Sequence, residues 1–346
     1  MDRIRIGTRG SKLALKQAAL VQEALLRFDS GAETEIVVLH TKGDRITDRP
    51  LAEIGDKGIF VSEFEQALLE GKIDVAVHSA KDLPMKLADG LAISAVLARG
   101  DVRDVLVVPK GGRMPVPIRE DAAEGETGAE NTVDSRKQRA GQEGIKPEAL
   151  RDVFIIGSGS RRRQAQARSL WSDIVCEDIR GNVDTRLRKL KDGSGIKYDG
   201  IILAKAGLDR LEIERRHGGE FTFYPLAPEA FLPAACQGII AVEALQDCAI
   251  SALCGKITDR QTELCFLVER EALAWLAADC SEAAAAWCRQ EGEELVLDVM
   301  YAGSRKRLSC KADSGVVRTG EENGLLAAGL KMAKKAAWLV KGQDNI

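Results

Sequence analysis

Residues 3–28 read RIRIGTRGSKLALKQAALVQEALLRF, and residues 152–171 read DVFIIGSGSRRRQAQARSLW. Each stretch begins as a strand, breaks at a Gly/Ser turn and continues at helical spacing. In the first, Arg3–Thr8 alternates, and Leu13, Leu20, Val21, Leu25 and Phe28 then line one face of a helix over Lys12–Phe28. Ser11 stands where a helix N-cap is needed. In the second, Asp152–Ile156 predicts a strand and Arg161–Trp171 a helix, joined by Gly157-Ser158-Gly159-Ser160. The same strand–turn–helix grammar at two places predicts two related α/β units with parallel sheets.

Working outward, Glu35–His40 and Ile73–His78 read as strands, with an amphipathic helix over Phe60–Leu69. Around the second stretch, Val183–Leu190 reads as a helix and Tyr198–Leu203 as a strand ending in Ala204-Lys205-Ala206-Gly207. Near Ala227–Val242 the chain returns to a buried strand. From about Ile257 a third, α+β unit is expected: a helix over Thr262–Leu276, strands over Glu294–Met300 and Arg307–Lys311, and a closing helix over Leu325–Val340. Residues 110–150 are rich in Gly, Glu, Arg and Pro without apolar periodicity, which predicts a mobile insertion. The expected domains are therefore 1–101 with about 238–256, 102–237, and 257–346.

At 346 residues, two or three domains are expected. Charged residues make up 30% and net charge is only -3, so no global basic field points to nucleic acid, and any anion site must be a local cluster. Aromatics at 4% weaken base stacking as well. Neither a signal sequence nor a membrane span is apparent, which predicts a cytoplasmic protein with no membrane partner. The eight cysteines form no CxxC pair and the three histidines make a poor zinc set, so no metal is expected. Most of the thiols read as small buried groups, with room for one nucleophile.

Three arginines, Arg161, Arg162 and Arg163, open the second helix, although a helix N-terminus favours acids. A bound anion would resolve the conflict, and Arg180 and Arg186 add cations close by. This reading outweighs a merely solvated basic face. The GSGS turn lacks the GxxxxGK[ST] spacing of a nucleotide-hydrolysing loop, and no GxGxxG opens either helix. Arg9 and Ser11 repeat the anion-favouring turn more weakly. At Val77-His78-Ser79-Ala80-Lys81-Asp82-Leu83-Pro84 a buried strand ends in polar residues, where open α/β sheets place ligands. Lys81 could pair with a carboxylate and Asp82 could move a proton or stabilise a cation. A capping aspartate beside a surface lysine fits those residues equally well.

The segments IGTRGSKLAL, KGD, GDKGIFVSEFEQALLEGKIDVAVHSAKDLP, RGDVRDVL, GSGSRRRQAQ, IRGNVDTRLRKL, YDGIILAKAGLDRL and LPAACQGIIAVE occur in that order over Ile4–Glu243. In this the chain resembles the porphobilinogen deaminase (hydroxymethylbilane synthase) family. The resemblance implies two periplasmic-binding-protein-like α/β domains with the active cleft between them, and a smaller C-terminal α+β domain. It implies a monomeric transferase of haem biosynthesis. Four porphobilinogens would be condensed head to tail, with loss of ammonia, onto a covalently held dipyrromethane, and water would then release hydroxymethylbilane. Asp82 would be catalytic, stabilising the electron-poor azafulvene left by deamination.

By the same resemblance, Lys81, Asp82, Ser158, Ser160, Arg162, Arg163 and Arg180 would hold the dipyrromethane. Arg9, Ser11, Phe60, Ser79, Arg186, Arg210 and Gln237 would hold the substrate chain. Each pyrrole carries two carboxylates, which explains arginines in a weakly acidic chain. Phe60 could stack on a pyrrole or be a core aromatic. Cys280 would carry the dipyrromethane through a thioether, although Asp279-Cys280-Ser281-Glu282 departs from the family's usual Gly-Cys-Gln-Val-Pro loop. Glu53, where lysine is usual, and Arg161, where an apolar residue is usual, also depart. The alternative is a non-enzymatic carboxylate-binding protein of the same fold.

Overall fold

The computed structural model describes residues 3–39, 61–118, 153–193, 195–277, 282–311 and 321–342. In chain order its strands are β1 (Ile4–Arg9), β2 (Thr34–Leu39), β3 (Val75–Ser79), β4 (Leu91–Val96), β5 (Asp104–Pro109), β6 (Val116–Pro117), β7 (Phe154–Gly157), β8 (Trp171–Ser172), β9 (Ile174–Glu177), β10 (Gly200–Ala204), β11 (Phe221–Pro225), β12 (Ile240–Leu245), β13 (Ala284–Glu291), β14 (Glu294–Tyr301) and β15 (Ser304–Lys311).

Two five-stranded sheets share one plan. The first runs β2-β1-β3-β12-β4 and the second β9-β7-β10-β5-β11. In each, the first three strands pair in parallel and the last two pairings are antiparallel, so the fourth strand alone is reversed and the fifth runs with the first three. The expectation of parallel sheets is thus corrected. Each sheet takes its fourth strand from a chain that has just crossed over from the other lobe, and this strand arrives reversed. The crossings are residues 97–103, between β4 and β5, and 226–239, between β11 and β12.

Both sheets are covered on both faces, so their strands are apolar without alternation. In the first, Ala18, Val21 and Leu25 of the helix Lys12–Phe28 lie on one face with Ile6, Val75 and Val242. Phe64 and Leu68 cover the other, against Ile73 and Ala76. Full burial of each large side chain is worth about 1.5–3 kcal/mol. The second sheet packs Leu187 and Leu190 on one face and Ala167 and Phe231 on the other. The third unit is a β13-β14-β15 meander whose inner face, with Leu295, Leu297 and Val299, packs on the helices Arg260–Leu276 and Glu321–Val340.

The crossings touch at two glycines. Gly100 N donates to the Gly238 carbonyl at 3.1 Å. Gly238 has φ +90°, and a Cβ there would stand 2.6 Å from the Gly100 oxygen. Only glycine gives this conformation and this approach together.

The expected insertion begins as ordered chain: β6 pairs with β8. Residues 119–152, where most of the expected mobility would lie, are outside the described residues. Among the described residues no helix is long and apolar enough to cross a membrane.

Candidate active site between the two sheets

The parallel strands β1, β3 and β7 end in the turns that sequence analysis marked. Ser11 caps its helix by accepting from Ala14 N at 3.2 Å. Ser160 caps the helix Arg161–Leu170 by accepting from Arg163 N at 3.5 Å. Ser158 is buried, and its hydroxyl accepts from Ser160 N at 3.3 Å. Ser79 is held by Gln17 Nε2 at 2.9 Å. All four serines therefore shape these turns. Arg9 is half-buried at the end of β1.

The arginine cluster departs from expectation. Arg162 and Arg163 are only 4% and 6% exposed and point inward. Arg162 Nη1 donates to Asp104 Oδ2 at 2.7 Å and to the Leu232 carbonyl at 2.6 Å. Arg163 donates to Asp104 Oδ1 through Nε at 3.0 Å and Nη2 at 2.8 Å, and to the Ile202 carbonyl at 2.9 Å. The anion that reconciles these cations with a helix N-terminus is thus the protein's own Asp104, which sequence reading missed. The two arginines hold Asp104 well below the usual carboxylate range, against the opposing effect of its burial. Its one sequence signal is an acid at the head of Val105-Leu106-Val107-Val108, a run buried on both faces. Arg161 is exposed and bonds Gln164 at 3.1 Å.

Around this pair lie cations that meet no carboxylate in a hydrogen bond among the described residues. Lys81 sits in the turn Ala80–Asp82 after β3, and its ammonium donates to Gln237 Oε1 at 3.3 Å. Burial first, then the nearby Arg163, lowers its pKa to about 8, against the pull of Asp82 and Asp104. Arg186, on the helix Val183–Asp192, donates Nε to the Gly181 carbonyl at 2.8 Å and meets no carboxylate in a hydrogen bond. Burial and then Arg163 lower its pKa to about 10, while Asp82 opposes them. Arg210 donates to the Gly238 carbonyl at 2.5 Å, and burial lowers its pKa as well. Arg180 is half-buried in the preceding turn and its carbonyl is bonded by Lys189 at 3.2 Å. Lys12 of the first lobe reaches Asp184 of the second at 2.9 Å.

Asp82 is exposed and its carboxylate meets no hydrogen-bond or ion-pair partner among the described residues, although its charge is felt by both Lys81 and Arg186. Among the described residues, Lys81, Arg162, Arg163 and Arg186 face Asp82 and Asp104, four cations to two carboxylates, so positive charge is in excess. A dipyrromethane, with its several carboxylates, fits that excess.

Gln237 is wholly buried, with Nε2 donating to Val102 O at 2.8 Å and Asp104 Oδ1 at 3.0 Å. Phe60, Glu53 and Cys280 lie outside the described residues. His78, beside the site, bonds buried Glu243 at 2.9 Å and stacks edge-on against Phe64, which makes it a core group.

A family model described as "Porphobilinogen deaminase, dipyromethane cofactor binding domain" matches residues 4–250. The chain belongs to this family. A porphobilinogen deaminase of Acetivibrio thermocellus is 36% identical over 342 residues, 99% of each chain. One from Acidithiobacillus ferrooxidans is 37% identical, covering 99% of this chain and 96% of its own. A probable porphobilinogen deaminase of Picrophilus torridus is 39% identical over 81% of this chain and 83% of its own. The family model spans both sheets and the whole cation cluster. Cys280 lies beyond it.

Proposed function

We propose that the protein is a hydroxymethylbilane synthase, a transferase that condenses four porphobilinogens head to tail onto a covalent dipyrromethane primer, releases ammonia at each step, and frees linear hydroxymethylbilane by hydrolysis. The observation that carries this reading is Asp82, an exposed carboxylate without a partner among the described residues, beside the half-buried cations Lys81 and Arg186.

The cations bind and orient. Arg186, Arg180, Arg9, Arg210 and Lys81 grip pyrrole carboxylates, and guanidinium forks suit them bidentately. Ser11, Ser79, Ser158, Ser160 and Gln237 fix the turns and the hinge from which those cations reach. Arg162 and Arg163 act with them through the guanidinium N–H groups not spent on Asp104 or on the Leu232 and Ile202 carbonyls. Phe60 stacks on a pyrrole.

Asp82 does the chemistry. The C–N bond of the substrate's aminomethyl group breaks with its electron pair on nitrogen, and ammonia leaves after gaining a proton. The positive charge left behind spreads to the pyrrole nitrogen. Asp82 accepts a hydrogen bond from that N–H and stabilises the charge. It then takes up the ring proton displaced when the new C–C bond forms. The dipyrromethane, when bound, supplies the nucleophilic pyrrole carbon that receives the first substrate.

Cys280 anchors that group through a thioether. The nearest described competitor is Cys288, which is buried; its thiol is pushed well up by its hydrogen bond with Cys265 and by burial. A low-pKa, accessible thiol is what such an attachment needs. We propose the domains 1–101 with about 238–256, 102–237, and 257–346, a division that the strands gathered by each sheet support. We also infer a cytoplasmic monomer without a nucleic-acid partner; the described cysteines are all free thiols, as in a reducing compartment. A simple carboxylate receptor is disfavoured, because Asp82 would repel its ligand.

The test is porphobilinogen consumption with ammonia release. Asp82→Asn should lower turnover by about 100-fold or more while leaving the thermal midpoint unchanged. Wild-type-like turnover in that variant would sink the assignment.

A further inference from the structure

We propose that Asp104 is a positioning residue that, through Gln237, fixes the ammonium of Lys81 across the junction of the two lobes. This rests on the reading of Lys81 as a carboxylate grip. Asp104 is wholly buried, with both carboxylate oxygens taken by partners of the protein itself. Its Oδ1 accepts from Gln237 Nε2 at 3.0 Å, and Val102 O accepts from the same amide nitrogen at 2.8 Å. With its nitrogen so committed, the amide can present only its oxygen to Lys81, 3.3 Å away. The three residues come from three places. Lys81 follows β3 of the first sheet, Asp104 opens β5 of the second, and Gln237 lies in the crossing between β11 and β12. The chain of hydrogen bonds thus ties the first lobe's cation to the carboxylate that also holds Arg162 and Arg163.

The charged groups facing Lys81 are Asp82 on its own turn and Asp104, Arg162 and Arg163 from the second lobe. Gln237 favours the ammonium by accepting from it, and Asp104 favours it by charge. Loss of either makes Lys81 release its proton at lower pH. Asp104 also neutralises two buried guanidinium groups, so the test is made at Gln237, whose neutral amide can be exchanged for the similar volume of Met.

The experiment is kcat/KM for porphobilinogen against pH in the wild type, Gln237→Met, Lys81→Gln and the double variant. Gln237→Met should lower kcat/KM about ten-fold, mainly through KM, and move the alkaline limb to lower pH. Lys81→Gln should abolish that limb. In the Lys81→Gln background, Gln237→Met should then change kcat/KM by less than about two-fold, because the pair acts as one unit. Equal losses in both backgrounds, or an alkaline limb that Gln237→Met leaves in place, would overturn the proposal. Wild-type kcat/KM and pH profile in Lys81→Gln would instead refute the role of Lys81 itself. Should Gln237→Met fail to fold, Gln237→Asn, which keeps the amide but falls short of Lys81, takes its place with the same expectations.

Discussion

Arg186 and Asp104 are opposite in charge and in consequence. Arg186 is partly desolvated without a carboxylate hydrogen-bond partner, so the folded protein holds it at a cost that only a ligand recovers. Arg186→Met, made in Cys280→Ser protein lacking any attached group, should leave the unfolding free energy unchanged or raise it. With Cys280 intact, the same substitution should raise KM for porphobilinogen about ten-fold or more. A lowered unfolding midpoint with unchanged KM would make Arg186 structural instead. Asp104→Asn should do the reverse of Arg186→Met and cost about 3–5 kcal/mol, read by denaturant unfolding, because two buried guanidiniums lose their anion. At this scale the sequence was legible in residue type and illegible in direction. The GSGSRRR turn announced an anion, but a helix start cannot say whether its second and third arginines face solvent or core. Asp104, which decides that, lies 58 residues before Arg162.

Helix caps and strand runs were the most legible elements, because their causes are local. Ser11, Ser160 and Asn182 each cap the helix that follows, and the helix Lys12–Phe28 has the bounds its spacing predicts. Strands β4, β5, β11 and β13 escaped attention. Their fully or unevenly buried runs lack the alternation that marks a strand. The antiparallel placement of β12 beside β3, across more than 160 residues of chain, has no local signature at all. The crossing it completes carries its own prediction. Gly238→Ala places a Cβ against the Gly100 oxygen in a left-handed conformation. The variant should lose about 1–3 kcal/mol of stability, measured as a shift of the denaturant midpoint at unchanged slope. An unaltered midpoint would show that the crossings give way freely.

Across the whole molecule, one buried carboxylate ties the three units together. Glu269, on the helix Arg260–Leu276, accepts from Arg99 Nη1 at 2.6 Å and from the backbone N–H groups of Cys236 at 2.5 Å and Cys288 at 2.7 Å. Arg99 and Cys236 belong to the two crossings, and Cys288 to β13. Glu269→Gln would set an amide N–H against those donors and cost about 3–5 kcal/mol, with a matching fall in the unfolding midpoint; an unchanged midpoint would contradict this role. The helix that carries Glu269 ends at Leu276, shortly before the proposed attachment residue Cys280 in the sequence. The loop itself was read only from resemblance, and its altered neighbours make it the right place to test the account. Intact mass of the purified protein from a porphyrin-synthesising host does so most directly. The account predicts an excess equal to two linked pyrrole units, further single-pyrrole increments when porphobilinogen is added, and neither in Cys280→Ser. A bare polypeptide mass in the wild type, unchanged by porphobilinogen, would contradict it.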